Sequence, residues 1–265
     1  MITPVTLTDQ SRPTTRSREP GPLEQLRAGR LARRLPQLYA GLVLYGLTAA
    51  CMIRSRLGND PWDVLHQGIA THLGVSIGTV TIADSVVVLL AWVPLRQMPG
   101  LGTVSNTFII GLATNLGLAV LPAPHAMAGR VALMLLGVAG NAVATAMYIG
   151  ARFGPGPRDG LMTGLHRRTG RPIWLVRTSI EVSVVVLGIA LGGVFGVGTV
   201  LYAVAIGPLV QPLLPLFTVA PRRTGLADGM QASDGGEPAA GAGCAVGEVD
   251  VRALPGVDRQ VVDVG

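Results

Sequence analysis

The chain has 265 residues, 49% of them apolar and only 14% charged, with a formal net charge of +6 and a mean hydropathy of +0.50. Soluble domains carry roughly 25% charged residues, and between Arg34 and Arg222 the only acidic residues here are Asp60, Asp63, Asp84, Asp159 and Glu181. Such a chain reads as a polytopic membrane protein, which excludes a secreted disulfide scaffold, a nucleic-acid module and an ordinary cytosolic enzyme.

Residues 1–35 are polar and rich in Pro, Arg and Ser, and read as a disordered cytoplasmic tail. A membrane domain is expected over 36–219, and a second disordered tail, rich in Gly and Ala, over 220–265. The first apolar run, 38–53, is a short span that acts as an uncleaved anchor. After it comes Gly58-Asn59-Asp60-Pro61-Trp62-Asp63, in which Gly58 ends one helix and Pro61 opens another that runs to Leu73. Spans follow at 77–95, 102–121 and 131–150. The motif then returns as Gly154-Pro155-Gly156-Pro157-Arg158-Asp159, opening a helix that runs to Thr169, before the last spans at 174–193 and 197–218. Backbone polar groups cannot be left open in lipid, so all six spans are expected to be helices.

Sliding the chain against itself by 96 residues aligns 38–118 with 134–214 without a gap and gives 22 identities in 81 pairs. The matches include Gly58/Gly154, Pro61/Pro157, Asp63/Asp159 and Gly74/Gly170. Each half carries three spans, so the second half enters the membrane from the opposite side, which makes the repeats inverted. The Arg residues agree: with the N-terminus inside, twelve flank the cytoplasmic ends of spans and three the outer ends, so both termini are expected in the cytoplasm. The expected fold class is therefore an all-α polytopic membrane protein of six transmembrane helices, built as two inverted three-helix repeats, each with a short interfacial or re-entrant helix.

The short helices admit two placements. In one they lie at the interface, with Leu65, Ile69 and Leu73 inward and Gln67 and Thr71 outward. In the other they dip between spans, N-terminus first, as in transporters that aim a positive helix end at a ligand. Asp60 and Gly156 stand at the N-cap, and Asp63 and Asp159 at the third helical position, where they either close the helix ends or serve a ligand.

Within the spans, Asp84 and Glu181 lie at nearly equivalent depth, and Arg177 is one turn from Glu181. Ionisable residues at such depth are binding-site candidates by default. Asp63, Asp84, Asp159, Arg177 and Glu181 are thus the candidate substrate- or ion-binding residues. Asp84 and Glu181 are expected to face one central cavity, with Asp84 as the proton carrier; the plainer alternative is a structural ion pair. Gly58, Pro61, Trp62, Gly154, Pro157 and Arg158 are read as motif residues that shape the breaks. Asn106, Asn115 and Asn141 are expected to bond between helices. The four His residues lie in loops or short helices without partner cysteines and are read as interfacial, with no metal site and no cofactor.

The stretches at 58–68 and 156–162 resemble the YczE/YyaS/YitT group of bacterial integral membrane proteins, the YczE branch most closely. The resemblance spans roughly 36–218 and implies a multi-pass protein of the bacterial plasma membrane, without implying catalytic residues. From these features the expected partners are the lipid bilayer and a small solute, with a second copy or another membrane protein as a docking partner, and no nucleic acid. The expected function is a small-solute transporter or permease, coupled to protons through Asp84; the competing reading is a membrane regulatory or assembly partner without transport. No nucleophile constellation or phosphate loop suggests an enzyme.

Overall fold

A computed structural model describes residues 30–219, and among these the chain forms eight α-helices. Six are long and apolar enough to cross a bilayer: α1 (Leu31–Ser55), α3 (Ile77–Leu95), α4 (Leu101–Val120), α5 (Met127–Gly150), α7 (Ile173–Ala190) and α8 (Val197–Phe217). The other two, α2 (Pro61–Leu73) and α6 (Pro157–Thr169), have 13 residues each and sit between the first and second span of their halves. The protein is an all-α, multi-pass membrane protein. Residues 1–29 and 220–265, expected as tails, lie outside the described residues.

Both short helices begin and end where local chemistry requires. Gly58 and Gly154 take φ of +128° and +105°, backbone that a side chain resists, and so turn the chain out of α1 and α5. Pro61 and Pro157 then supply a first helical position that needs no N–H donor. Gly74 and Gly170 close the helices with φ of +66° and +68°, each donating its N–H to the last turn.

Three boundaries differ from expectation by three residues or more, one of them the fourth span, which starts at Met127 rather than 131. α1 starts at Leu31, so residues 31–35, read as tail, are its first turn. The reason is Arg34, which is 3% exposed: its Nε donates to Ala151 O at 2.9 Å, its Nη2 to Arg152 O at 2.9 Å, and its guanidinium covers the Phe153 ring. The free carbonyls at the end of α5 thus satisfy a buried cation. The fifth span stops at Ala190, not 193, because Gly192 turns at φ +83° and Gly193 N–H donates back to Gly188 O.

The packing is organised around α1 and α5, which lie against each other, with α4 on α1 and α8 on α5. α2 packs on α3 and α7; α6 packs on α7 and α3. Small residues allow the close approaches: a Cβ on Gly41 would meet Met147 Cβ at 3.0 Å, and one on Gly137 would meet Met52 Cγ at 2.5 Å.

Several contacts occur twice, 96 residues apart, with the partners exchanged. Arg130 donates its Nε to Ser55 O at 2.7 Å and its Nη2 to Arg56 O at 2.9 Å, as Arg34 does to Ala151 and Arg152. Gly102 N–H donates to Phe153 O, and Gly198 N–H to Leu57 O, both at 2.8 Å. Each break is therefore held by the last helix of the other half.

One pair is not matched. α3 and α4 pack closely through Gly78 and Gly111, with Gly78 N–H donating to Asn115 Oδ1 and Asn115 Nδ2 donating to Ser76 Oγ, both at 2.9 Å. At the corresponding places stand Trp174, Gly207, Gln211 and Pro172. Trp174 cannot allow the approach that Gly78 allows, and α7 and α8 do not pack closely.

Candidate functional site

Asp60 caps α2, its Oδ1 accepting from Asp63 N–H at 2.8 Å. Asp63, open to either a capping or a ligand role, leaves the cap to Asp60, and its side chain reaches along the helix. Its Oδ1 lies 3.1 Å from His66 Nδ1, and His66 Nε2 lies 3.1 Å from Asp84 Oδ2 on α3. The Thr81 hydroxyl sits 3.2 Å from the same Nδ1. An imidazolium satisfies both carboxylates at once, since both ring nitrogens then donate, whereas a neutral ring satisfies only one. Asp63 Oδ2 and Asn59 Oδ1 are buried with no hydrogen-bond partner among the described residues.

His66 is wholly buried, and Pro61, Trp62, Asp63 and Val64 are buried with it, while Thr71, His72 and Leu73 are exposed. Two expectations fall here. His66 is not interfacial, because it stands one turn after Asp63 on the face turned to α3. Nor does α2 follow the first of its two expected placements, one face buried along its length: it is enclosed at its N-terminal end, with Leu73 exposed.

Arg158, at the start of α6, faces this group. Its Nη1 is 3.8 Å from Asp60 Oδ2 and its guanidinium carbon 4.7 Å from the centre of the Trp62 ring. The adjacent Asp159 accepts from the Tyr148 hydroxyl at 3.2 Å. On α7, Arg177 Nε donates to Glu181 Oε1 at 2.9 Å. These groups surround a cavity of about 120 Å³ lined by Tyr45, Asp60, Arg158, Asp159, Arg177 and Glu181, among others. A second cavity of about 80 Å³, reaching Thr81, Ser85 and Asn106, shares the wall formed by Tyr45, Tyr148, Arg158 and Asp159.

The charge around these cavities is unbalanced. Three carboxylates (Asp60, Asp159 and Glu181) and two guanidinium groups (Arg158 and Arg177) line the larger cavity, while Asp63, His66 and Asp84 form a separate row beside it. Arg158 is paired with Asp60 and Arg177 with Glu181, while Asp159 is hydrogen-bonded by the Tyr148 phenol and the Gly156 backbone and lies near both cations. Such a site suits protons and small cations. Among the described residues no group of three or more His, Cys, Asp or Glu is placed to hold a metal ion.

Residues 32–214 match a family described as "Family of unknown function (DUF6198)". The chain belongs to this family. Its DUF6198 region is 40% identical over 184 residues to an uncharacterized protein of Haemophilus influenzae, covering 69% of this chain and 84% of that one. It is 29% identical over 179 residues to the uncharacterized membrane protein YczE of Bacillus subtilis, covering 67% and 83%. It is 27% identical over 180 residues to the uncharacterized protein YyaS of the same organism, covering 66% and 90%. No solved structure matches the chain. The resemblance read from the two Gly-x-x-Pro-x-Asp stretches is thus the right one.

Of the candidate residues in this DUF6198 protein, Asp63 and Asp84 come together through His66, while Asp159, Arg177 and Glu181 line one cavity. Asp84 and Glu181 do not share it: Asp84 lines neither cavity, and it is not the unpartnered carboxylate it was expected to be. α3 and α7 both pack on α2 and α6, but Asp84 reaches His66 on α2 whereas Glu181 pairs with Arg177 on its own helix. Asn115 bonds α3 to α4, and Asn141 bonds α5 to Thr48 on α1 and Tyr202 on α8. Sequence reasoning reads Asp60 only as the cap of α2, His66 as interfacial and Arg158 as a motif residue, and misses the tyrosines. The i,i+3 spacing of Asp63 and His66 was the available signal.

Proposed function

We propose that this protein is a proton-coupled small-solute transporter of the bacterial plasma membrane. The observation that carries the reading is the buried row Asp63–His66–Asp84, set at a helix break beside a cavity lined by Thr81, Ser85, Arg158 and Asp159. Two halves with three spans each, joined by contacts that exchange partners, are what an inverted repeat around a central site requires. Both termini lie in the cytoplasm, the protein is not an enzyme, and the two halves rock against each other about the breaks. When His66 loses its proton, one of its two carboxylates loses its donor, which ties the proton to the arrangement of α2 against α3.

The test is reconstitution into liposomes containing a pH-sensitive dye, with gradients from a panel of small amines and zwitterions. A substrate gradient should move protons in the wild type. Asp84→Asn should retain exchange of labelled substrate and lose proton movement. Proton movement that persists in Asp84→Asn would overturn the coupling. A second reading, a membrane assembly partner, is favoured by the wide exposure of α7 and α8; it predicts co-purification of another membrane protein and no flux for any solute.

A further inference from the structure

The polar cavity is open to one side. Because Trp174 and Gly207 replace the close Gly78–Gly111 approach, the seam between α7 and α8 is unfilled: Trp174 is 66% exposed, and a Cβ on Gly207 would meet nothing within 4 Å. A groove of about 300 Å³ runs along the seam, lined chiefly by Val182, Val186, Phe195, Val200, Ala203 and Val204. It also touches Pro61 and Glu181, both of which line the 120 Å³ polar cavity. The groove and the cavity therefore border each other at Pro61 and Glu181. An apolar groove beside an acidic cavity has the profile of an amphiphile.

We infer that the α7–α8 seam is a lateral portal, and that its ligand is an amphiphilic monocation: an ammonium head beside Asp159 and Glu181, and one apolar tail in the groove. This deepens the transporter reading and rests on it. The sign of the head follows from the cavity wall, in which the carboxyl groups of Asp60, Asp159 and Glu181 outnumber the guanidinium groups of Arg158 and Arg177. Tyr45, Tyr148 and Tyr202 add ring faces that attract alkylammonium groups. The tail sets the route of access. Since acyl chains are as apolar as Val or Phe, exchanging bilayer for groove gains little, so the head supplies selectivity and the tail brings the ligand in from the membrane.

The test uses the full chain in nanodiscs of zwitterionic lipid, with labelled dodecylammonium as probe and empty nanodiscs as background. Binding should be saturable and should not be competed by methylammonium, which has the head alone, or by dodecanoate, which has the same tail with an anionic head. Asp159→Asn should weaken the Kd by about tenfold or more. So should Val200→Phe, which fills the groove. Val104→Phe, at the corresponding exposed position on α4, should bind as the wild type does and controls for folding. Equal competition by dodecanoate, or unchanged binding in Val200→Phe, overturns the portal. Binding without flux in liposomes would remove the transporter reading and leave the portal standing; flux of a tail-less solute without dodecylammonium binding would do the reverse.

Discussion

Arg158 stacks on Trp62, 4.7 Å from guanidinium carbon to ring centre, and the two residues hold the same place, 96 positions apart, in the two halves of the chain. Counterparts touch only where the halves meet, so the stack marks the middle of the molecule. It also marks where the halves diverge: the first brings Asp60, His66 and Asp84 to the middle, where the second has Gly156, Met162 and Ile180. One half carries Asp60 and the Asp63–His66–Asp84 row, and the other carries the cation that pairs with Asp60.

That balance should be measurable. Arg158→Ala leaves Asp60, which is 2% exposed, without its cation. The side chain of Arg158 retains some solvent access, so a loss of about 2 kcal/mol is expected, below the range for fully buried pairs. Thermal unfolding in detergent should show the loss, and Asp60→Asn combined with Arg158→Ala should recover most of it. An additive double variant would mean that the two residues do not interact.

His66 and Asp84 should separate in the same assay. Asp84→Asn keeps a polar partner for His66 Nε2 and should unfold at nearly the wild-type midpoint. His66→Leu deprives both Asp63 and Asp84 of their donor and should cost several times more, about 3 kcal/mol. Equal effects would argue against the bridging role of the imidazole.

The two glycine crossings make a paired prediction. Gly111→Ala places a methyl within 2.6 Å of Ile82 Cγ1 and should destabilise by about 2 kcal/mol. Gly207→Ala meets nothing within 4 Å and should be neutral or slightly stabilising, since Ala favours a helix over Gly by about 1 kcal/mol. The same substitution at corresponding places should thus give opposite signs in a midpoint measurement.

Topology follows from the Arg distribution. Reporter fusions after Arg34, Gly74, Gly170 and Arg223 should read cytoplasmic, periplasmic, cytoplasmic and cytoplasmic. A periplasmic signal after Gly170 would contradict an inverted second half.

The helix breaks were legible in the sequence because their causes are local: a Gly that turns the chain, a Pro that can start a helix, a Gly that ends it. The pairing of charges was not, because it depends on how helices cross. His66 meets Asp84 only once α2 and α3 are brought together, and a helical wheel drawn for α2 alone assigns its sides as if one face met water. Arg34 illustrates the same limit: its charge reads as a tail residue until the carbonyls of Ala151 and Arg152 are known to lie beside it. The 96-residue offset held more than the motifs drawn from it. Had Trp62 and Arg158 been recognised as mutual counterparts, a contact between them would have been a natural expectation.

The exchange of partners between the breaks and the last helices dictates an order of assembly during synthesis. Leu57 O receives its hydrogen bond from Gly198 N–H, and Asn59 N–H finds Thr199 Oγ1 at 3.1 Å, yet both acceptor and donor wait on residues near the end of the membrane domain. The first break to leave the ribosome is therefore among the last to be secured, and the nascent chain must hold an unfinished bend until α8 emerges. Neither half is self-sufficient, but each carries what the other lacks, so two separately translated halves should find one another in the membrane and complete a single site between them.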